Sequence, residues 1–384
     1  MISSPKERPM NALNTALQKP TAQETILSLP HQLKAQLPLS NPLAQQIAEQ
    51  RQTIQNILEG RDKRLLVITG PCSIHDTESA LEYAEKLKQL QAQVSKHIFL
   101  VMRAYIEKPR TTVGWKGFLY DPNLDGSSNM QLGLEKSREL YLKIAAMGLP
   151  IASEILSPMA TAYFDDLLAW GAIGARTSES QIHREISSHM PYSIGFKNGT
   201  DGSIQIALDA IQSASHPHQF LGMSQSGLPS ILESNGNPKA HLILRGANSG
   251  PNYRLAEIEQ MKAKAKGELP ALVIDCSHGN SSKNPMLQPE VLRTIVDERH
   301  LSNVRGVMLE SHLLDGAQKI SCAMAYGQSV TDGCLGWDKT HQLLLEIAEN
   351  LSGCRCSAAP KQGSGLNLLR DGSALKGACS LHPA

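Results

Sequence analysis

Eight short apolar runs recur along this chain, and most are followed by a longer segment of helical period. The runs are Leu65–Thr69, Ile98–Ala104, Pro150–Glu154, Ala172–Arg176, Ile194–Lys197, His241–Arg245, Ala271–Ser277 and Arg305–Glu310. Apolar spacing predicts helices over Glu78–Val94, Leu134–Met147, Met159–Trp170, Ile204–Ala214, Leu255–Lys266 and Val291–Arg299. Strands alternating with helices select parallel βα units. Eight of them predict an α/β chain folded as a closed (β/α)8 barrel, with a doubly wound open sheet as the alternative on pattern alone. A chain of 384 residues suits one such domain with an extension.

Two stretches break the rhythm. Residues 1–60 form an N-terminal extension: a polar, proline-punctuated arm to about residue 40, then a helix that Pro42 opens and Gly60 stops. In that helix Leu43, Ile47, Ile54 and Leu58 line one face. Within the barrel region, 61–352, the segment of about 219–238 predicts two short strands around Gly227-Leu228-Pro229, a β hairpin inserted before the sixth barrel strand. The tail, 353–384, is rich in Gly, Ser, Ala and Pro with little periodicity, so disorder is expected there.

What terminates each run is informative. In order, the runs end at or just before Cys72, Arg103, Glu154, Arg176, Lys197, Arg245, His278 and Glu310. In a (β/α)8 barrel these ends converge on one face, the face that carries chemistry. One charge at a strand end is ordinarily a solvated boundary. Eight around one small mouth would repel unless an anion and a metal neutralise them. Arg103, Lys108, Arg176, Lys197 and Arg245 make a cationic cradle for a small substrate bearing phosphate and carboxylate. Cys72, His278 and Glu310, with Asp332, offer S, N and O donors suited to a divalent first-row transition metal. Taken singly, Cys72 is as well explained as a buried small side chain, and the others as core or loop residues. As a set they favour a site. Arg110-Thr111-Thr112, after Glu107-Lys108-Pro109, supplies a second anion subsite.

Composition excludes little else. The formal net charge is +1 and aromatic residues are 4%, so neither nucleic acid nor a membrane surface is an expected partner. Seven scattered cysteines without CxxC pairs fit a reducing compartment. With no secretory h-region and no run near the ~20 apolar residues of a spanning helix, a soluble cytoplasmic protein is expected.

Several ordered blocks resemble the class I, short microbial 3-deoxy-D-arabino-heptulosonate 7-phosphate synthases. They are Gly70-Pro71-Cys72-Ser73-Ile74-His75-Asp76, the block from Glu107 to Gly117, Ala172-Ile173-Gly174-Ala175-Arg176, the block from Gly195 to Gly202, Asp275-Cys276-Ser277-His278-Gly279-Asn280-Ser281 and Tyr326-Gly327-Gln328-Ser329-Val330-Thr331-Asp332. The likeness runs from about residue 40 to about residue 352. Departures at Ala104-Tyr105-Ile106, Ser178 and the loop Arg245–Pro251, where Arg245 itself is kept, replace no presumed ligand.

The resemblance implies condensation of phosphoenolpyruvate with erythrose 4-phosphate, the first step towards chorismate and the aromatic amino acids. It implies a divalent metal (Mn, Fe, Co or Zn) on Cys72, His278, Glu310 and Asp332. Phosphoenolpyruvate would lie on Arg103, Lys108, Arg176, Lys197 and Arg245, the aldose phosphate on Arg110 and Thr111, and a water beside Glu154. Lys108 is the expected proton donor to the aldehyde oxygen, with His278 and Asp332 as weaker candidates. Family members are commonly inhibited by one aromatic amino acid and assemble as homodimers or homotetramers. That makes Leu156, Met190, Pro191, Tyr192, Phe220 and Gly222 candidate effector contacts. A glycine at 222 predicts an enlarged pocket beside Phe220, favouring tyrosine or tryptophan. The rival readings are the octulosonate-forming relative of the same chemistry, which the Lys108–Thr112 block disfavours, and a dead amino-acid sensor, which intact strand ends disfavour.

Overall fold

The computed structural model describes residues 24–265 and 269–353. The tail after Gly353, the first part of the arm and the predicted helix end at Lys266 lie outside the described residues. After a short helix α1 (Pro30–Gln36), α2 (Asn41–Leu58) leads into β1 (Leu65–Gly70), α3 (Thr77–Val94) and β2 (Ile98–Arg103). Then come α4 (Met130–Ala146), β3 (Ile151–Glu154), α5 (Thr161–Phe164), β4 (Trp170–Ile173), α6 (Gln181–His189), β5 (Ser193–Lys197) and α7 (Gln205–Ala214). An antiparallel hairpin, β6 (His218–Met223) with β7 (Pro229–Ser234), precedes β8 (His241–Leu244). The chain continues through α8 (Leu255–Ala265), β9 (Leu272–Asp275), α9 (Gln288–Glu298), β10 (Val304–His312), β11 (Leu335–Gly336) and α10 (Trp337–Leu351). Among the described residues, β1, β2, β3, β4, β5, β8, β9 and β10 pair in parallel in that order, and β10 returns to β1. The barrel is closed and the open-sheet alternative is excluded.

Side chains alternate across each strand, so every second residue points into the barrel. On β1, Leu66 and Ile68 pack inward while Leu65 and Val67 pack outward against the helices. Val101, Ala152, Ala172, Ile243, Val273 and Met308 join the inner cluster. Helix α2 closes the base, because its Ile54, Ile57 and Leu58 belong to that same cluster. An amphipathic helix without a partner would leave this face wet; here it plugs the open end.

Three boundaries differ from expectation in what they position, besides shifts of a few residues at other element ends. The predicted helix Met159–Trp170 is a 3-10 turn (Pro158–Ala160) followed by the four-residue α5. Trp170 instead starts β4, where its Nε1 donates to His241 Nε2 at 3.1 Å inside the barrel base. That strand stops at Ile173, since the Gly174 carbonyl accepts from the Thr177 and Ser178 N–H groups in a turn that carries Arg176. Glu310 is inside β10 rather than at its end, because β11 pairs with Ser311 and His312 and extends the strand. Helices α6 and α10 go beyond the predicted set.

The hairpin tip is held by the arm of its own chain. His31 N–H donates to the Gln225 carbonyl at 3.1 Å, and Lys34 Nζ donates to Gln225 Oε1 at 2.8 Å. Gly227 has φ +79°, and a Cβ there would lie 2.6 Å from Leu29 Cδ2. The turn therefore needs glycine both for its backbone and for the close approach of α1.

Candidate active site

One step above the apolar layer, the same inward parity selects Gly70, Arg103, Glu154, Gly174, Lys197, Arg245, Asp275 and Glu310. A single ring thus changes from apolar to charged, which is how a barrel core becomes a barrel mouth. The ring opens into a cavity of about 700 Å³. Arg103, Lys108, Arg110, Thr111, Glu154, Arg176, Lys197, Arg245, His278, Glu310 and Asp332 all line it.

Cys72 lies beneath, fully buried, and its Sγ with carboxylate oxygens of Glu310 and Asp332 forms a group within 4.8 Å of one another. The Lys108 ammonium donates to Cys72 Sγ at 2.9 Å and to Asp332 Oδ2 at 2.7 Å. Burial pushes the Cys72 thiol up and Glu310 adds to it, while Lys108 and Arg103 oppose. Burial acts to raise the Asp332 carboxyl too, yet the Lys108 ammonium, together with His278 and the Cys72 thiol, outweighs it and holds the group well below the usual carboxylate range. His278, the fourth expected ligand, is not in this group. It has φ +55°, and its Nδ1 lies 2.9 Å from Asp275 Oδ2 and 2.7 Å from Ser277 Oγ.

The cations divide into committed and free. Arg103 is buried, donating to Glu310 Oε1 at 3.0 Å and to the Cys72 carbonyl at 2.9 Å, with its guanidinium 3.7 Å from the Tyr105 ring centroid. Lys197 is buried and donates to Asp275 Oδ2 at 2.8 Å. The guanidinium groups of Arg110 and Arg245 have no hydrogen-bond or ion-pair partner among the described residues, and Arg176 has only a 3.5 Å contact to the Pro109 carbonyl. Uncompensated guanidinium groups around one cavity create a strong positive field, and the planar fork of each suits phosphate or carboxylate oxygens. Glu154 reaches this cavity because residue 174 is glycine; a Cβ there would sit 2.5 Å from Glu154 Oε1.

Sequence reading passed over several residues that shape the site. Asp275 and Tyr105 are buried at inward positions, and parity with Val273 and Val101 is the signal that finds them. Three buried asparagines brace the loops. Asn198 Oδ1 accepts from the Arg245 N–H at 2.8 Å, Asn252 Oδ1 from the Gly246 N–H at 2.7 Å, and Asn280 Nδ2 donates to the Asp275 carbonyl at 2.9 Å. No spacing rule marks these: Asn198 bonds to backbone 47 residues away across neighbouring strands, and the Asn252 and Asn280 bonds, though six and five residues apart, exist only once each loop has turned back on itself.

The effector candidates are spread around α6 and the hairpin. Phe220 is buried edge-on to His189, with ring centroids 6.2 Å apart. Tyr192 is fully buried, its OH donating to Met190 Sδ at 3.3 Å, with the Arg51 guanidinium 5.3 Å from its ring centroid. Pro191 is exposed, and the Leu156 carbonyl is 2.9 Å from His183 Nε2. The space beside Gly222 is taken by Leu232, whose Cδ1 would be 2.5 Å from an added Cβ. Glycine there admits the cross-strand leucine instead of enlarging a pocket beside Phe220.

Comparison with known proteins agrees with this geometry. The sequence model of the DAHP synthetase I family matches residues 42–345. The Tyr-sensitive phospho-2-dehydro-3-deoxyheptonate aldolase of Escherichia coli (strain K12) is 48% identical over 337 residues, covering 86% of this chain and 94% of that protein. A Trp-sensitive enzyme of the same name from Enterobacter agglomerans is 44% identical over 338 residues, covering 86% and 97%. The solved structure of the phospho-2-dehydro-3-deoxyheptonate aldolase of Francisella tularensis SCHU S4 superposes with a TM-score of 0.83 at 44% identity, covering 86% of this chain and 98% of that one. The matched segment spans the whole barrel with its charged mouth, and the chain belongs to the DAHP synthetase I family.

Proposed function

We propose that this mouth condenses phosphoenolpyruvate with D-erythrose 4-phosphate and water, giving 3-deoxy-D-arabino-heptulosonate 7-phosphate and inorganic phosphate. This is the first step towards chorismate and the aromatic amino acids. The observation that carries the reading is the juxtaposition, in one cavity, of free guanidinium groups and the Cys72–Glu310–Asp332 group. Two phosphorylated substrates need two anion subsites, and a carbonyl acceptor needs an electrophilic activator beside them.

The donor set fits a divalent metal, since a thiol and two carboxylates already converge and the Lys108 ammonium rests on two of them. Cys72, Glu310 and Asp332, with His278, would hold Mn, Fe, Co or Zn. When bound, such an ion supplies Lewis acidity to the aldehyde oxygen. The chain's own groups do the rest. Arg103, Lys108, Arg176, Lys197 and Arg245 orient phosphoenolpyruvate so that its C3 meets the aldehyde carbon, while Arg110 and Thr111 hold the aldose phosphate at the far side. Lys108 delivers a proton to the aldehyde oxygen, and Glu154 orients the water that adds at C2 before phosphate departs with cleavage of the C–O bond. Most of these charges exist throughout the reaction, so their main contribution is positioning.

Tyr- and Trp-sensitive relatives support inhibition by an aromatic amino acid; the buried Phe220 beside His189 of α6 makes the hairpin and α6 its proposed site. A homodimer or homotetramer is supported by the hairpin's outward face, where Leu221 and Ile231 pair across the strands yet remain 80% and 75% exposed. Among the described residues no helix is long and apolar enough to cross a membrane. The four free cysteines among those residues support a reducing, cytoplasmic setting.

The test is consumption of phosphoenolpyruvate by the purified protein, with and without erythrose 4-phosphate and chelator, titrated with each aromatic amino acid. Turnover that requires the aldose, stops with chelator and returns with a divalent metal is expected. Consumption that ignores the aldose or the chelator would overturn the reading.

A further inference from the structure

Asp275 ends β9 with its side chain inward and 1% exposed. Its Oδ2 accepts from Lys197 Nζ at 2.8 Å and faces His278 Nδ1 at 2.9 Å. Its Oδ1 accepts from the Ser277 N–H at 3.1 Å and from Ser277 Oγ–H at 2.6 Å. A buried carboxylate is costly unless every lone pair is used, and this one is fully used.

Two consequences follow from elementary chemistry. An ionised carboxylate only accepts, and the Ser277 hydroxyl has spent its hydrogen on Oδ1, so the proton between them belongs to His278 Nδ1. In the neutral ring this leaves Nε2 with the free lone pair, the form a metal ligand needs. His278 has a left-handed backbone, uncommon outside glycine, and its ring makes these contacts at Nδ1. On the other side, Asp275 pins the Lys197 ammonium within the inner ring. Strands β5 and β9 are not neighbours, since each pairs with β8. The ion pair is therefore not needed to hold the sheet together; it spans the mouth from one functional group to another.

We infer that Asp275 is a positioning residue that sets the anion cradle and the metal group together, orienting Lys197 towards phosphoenolpyruvate and His278 Nε2 towards the metal. The inference rests on the proposed condensation, which assigns those two partners. The test measures binding by the full chain as well as turnover. Mn²⁺ affinity of the metal-stripped protein is read by chelator competition, phosphoenolpyruvate affinity by calorimetry at saturating Mn²⁺, and KM for each substrate separately.

For Asp275→Asn, Mn²⁺ affinity is expected to fall by about 10–100-fold, as for other outer partners of metal-bound histidines. Phosphoenolpyruvate affinity should fall by about ten-fold, with KM for erythrose 4-phosphate within about two-fold of the parent. In a Lys197→Met background the same change should alter phosphoenolpyruvate affinity by less than about two-fold while keeping its effect on Mn²⁺. An Asp275→Asn protein that binds either ligand like the parent overturns the inference. Should that variant fail to fold, Ser277→Ala removes one member of the same relay. Weaker Mn²⁺ binding with unchanged phosphoenolpyruvate affinity supports the inference, and unchanged Mn²⁺ binding overturns it. A parent protein that binds neither ligand refutes the proposed function instead.

Discussion

Glu107 precedes Lys108 and is buried at 4% exposure. It accepts from Tyr120 OH and from the Ser157 N–H, each at 3.3 Å. Burial, and then the nearby Glu154 charge, push its carboxyl up to about 7 against those bonds. Tyr120, Tyr141 and Glu154 are the titratable groups that face it. A carboxyl whose folded pKa lies above its unfolded one stabilises the fold below the unfolded pKa, and that contribution is lost as pH rises through the folded value. From the ordinary value of 4.5 to about 7, Glu107 should therefore lower stability progressively, by at most about 3 kcal/mol. His241 has the opposite sign: burial pulls it down to about 4, so its contribution is present above 6.5 and fades as pH falls. Comparing Glu107→Gln with the parent cancels the histidine. The variant's melting temperature should decline less across that window, and superimposable pH profiles would refute the assignment.

At the level of elements, α2 is the base of the barrel. Ile54 and Ile57 are fully buried in the inner cluster. Ile57→Ala should cost about 2–5 kcal/mol in urea unfolding, because a rigid barrel floor relaxes little around a cavity. KM for both substrates should stay near the parent's, since the mouth is at the other end; a substrate-specific KM change with full stability would contradict this placement. The face of α2 was legible from spacing, as was the existence of each barrel strand, though β4 runs Trp170–Ile173 and not Ala172–Arg176. Trp170 was not, because a tryptophan after a run of mixed residues suits a helix end as well as a strand start. Its place was decided by His241, which is distant in sequence and adjacent only in the closed barrel.

Across the whole molecule, arm, hairpin and the α5 segment are tied at one corner. Lys34 Nζ meets Asp165 Oδ1 at 2.6 Å and Gln225 Oε1 at 2.8 Å, and Gln225 Nε2 donates to Asp165 Oδ2 at 2.9 Å. Phe220 belongs to this outer structure and does not line the mouth cavity. Phe220→Ala should thus weaken inhibition by the effective aromatic amino acid by about ten-fold or more while kcat is retained. Inhibition curves identical to the parent's would remove Phe220 from the effector site.

By itself, the sequence determined the eight βα units, the inserted hairpin and nearly all the charged residues of the mouth. Hydrophobic period and residue type are local properties, and barrel strands place their ends on one face by construction. Tertiary structure alone decided the partners. It set Lys108 on Cys72 and Asp332, paired Asp275 with Lys197 and His278, filled the space at Gly222 with Leu232, and left the Arg110 and Arg245 guanidinium groups without a partner among the described residues. Those outcomes depend on which inward positions meet after closure. The energy of a buried charge is set by its neighbours in space, and no spacing along the chain encodes them.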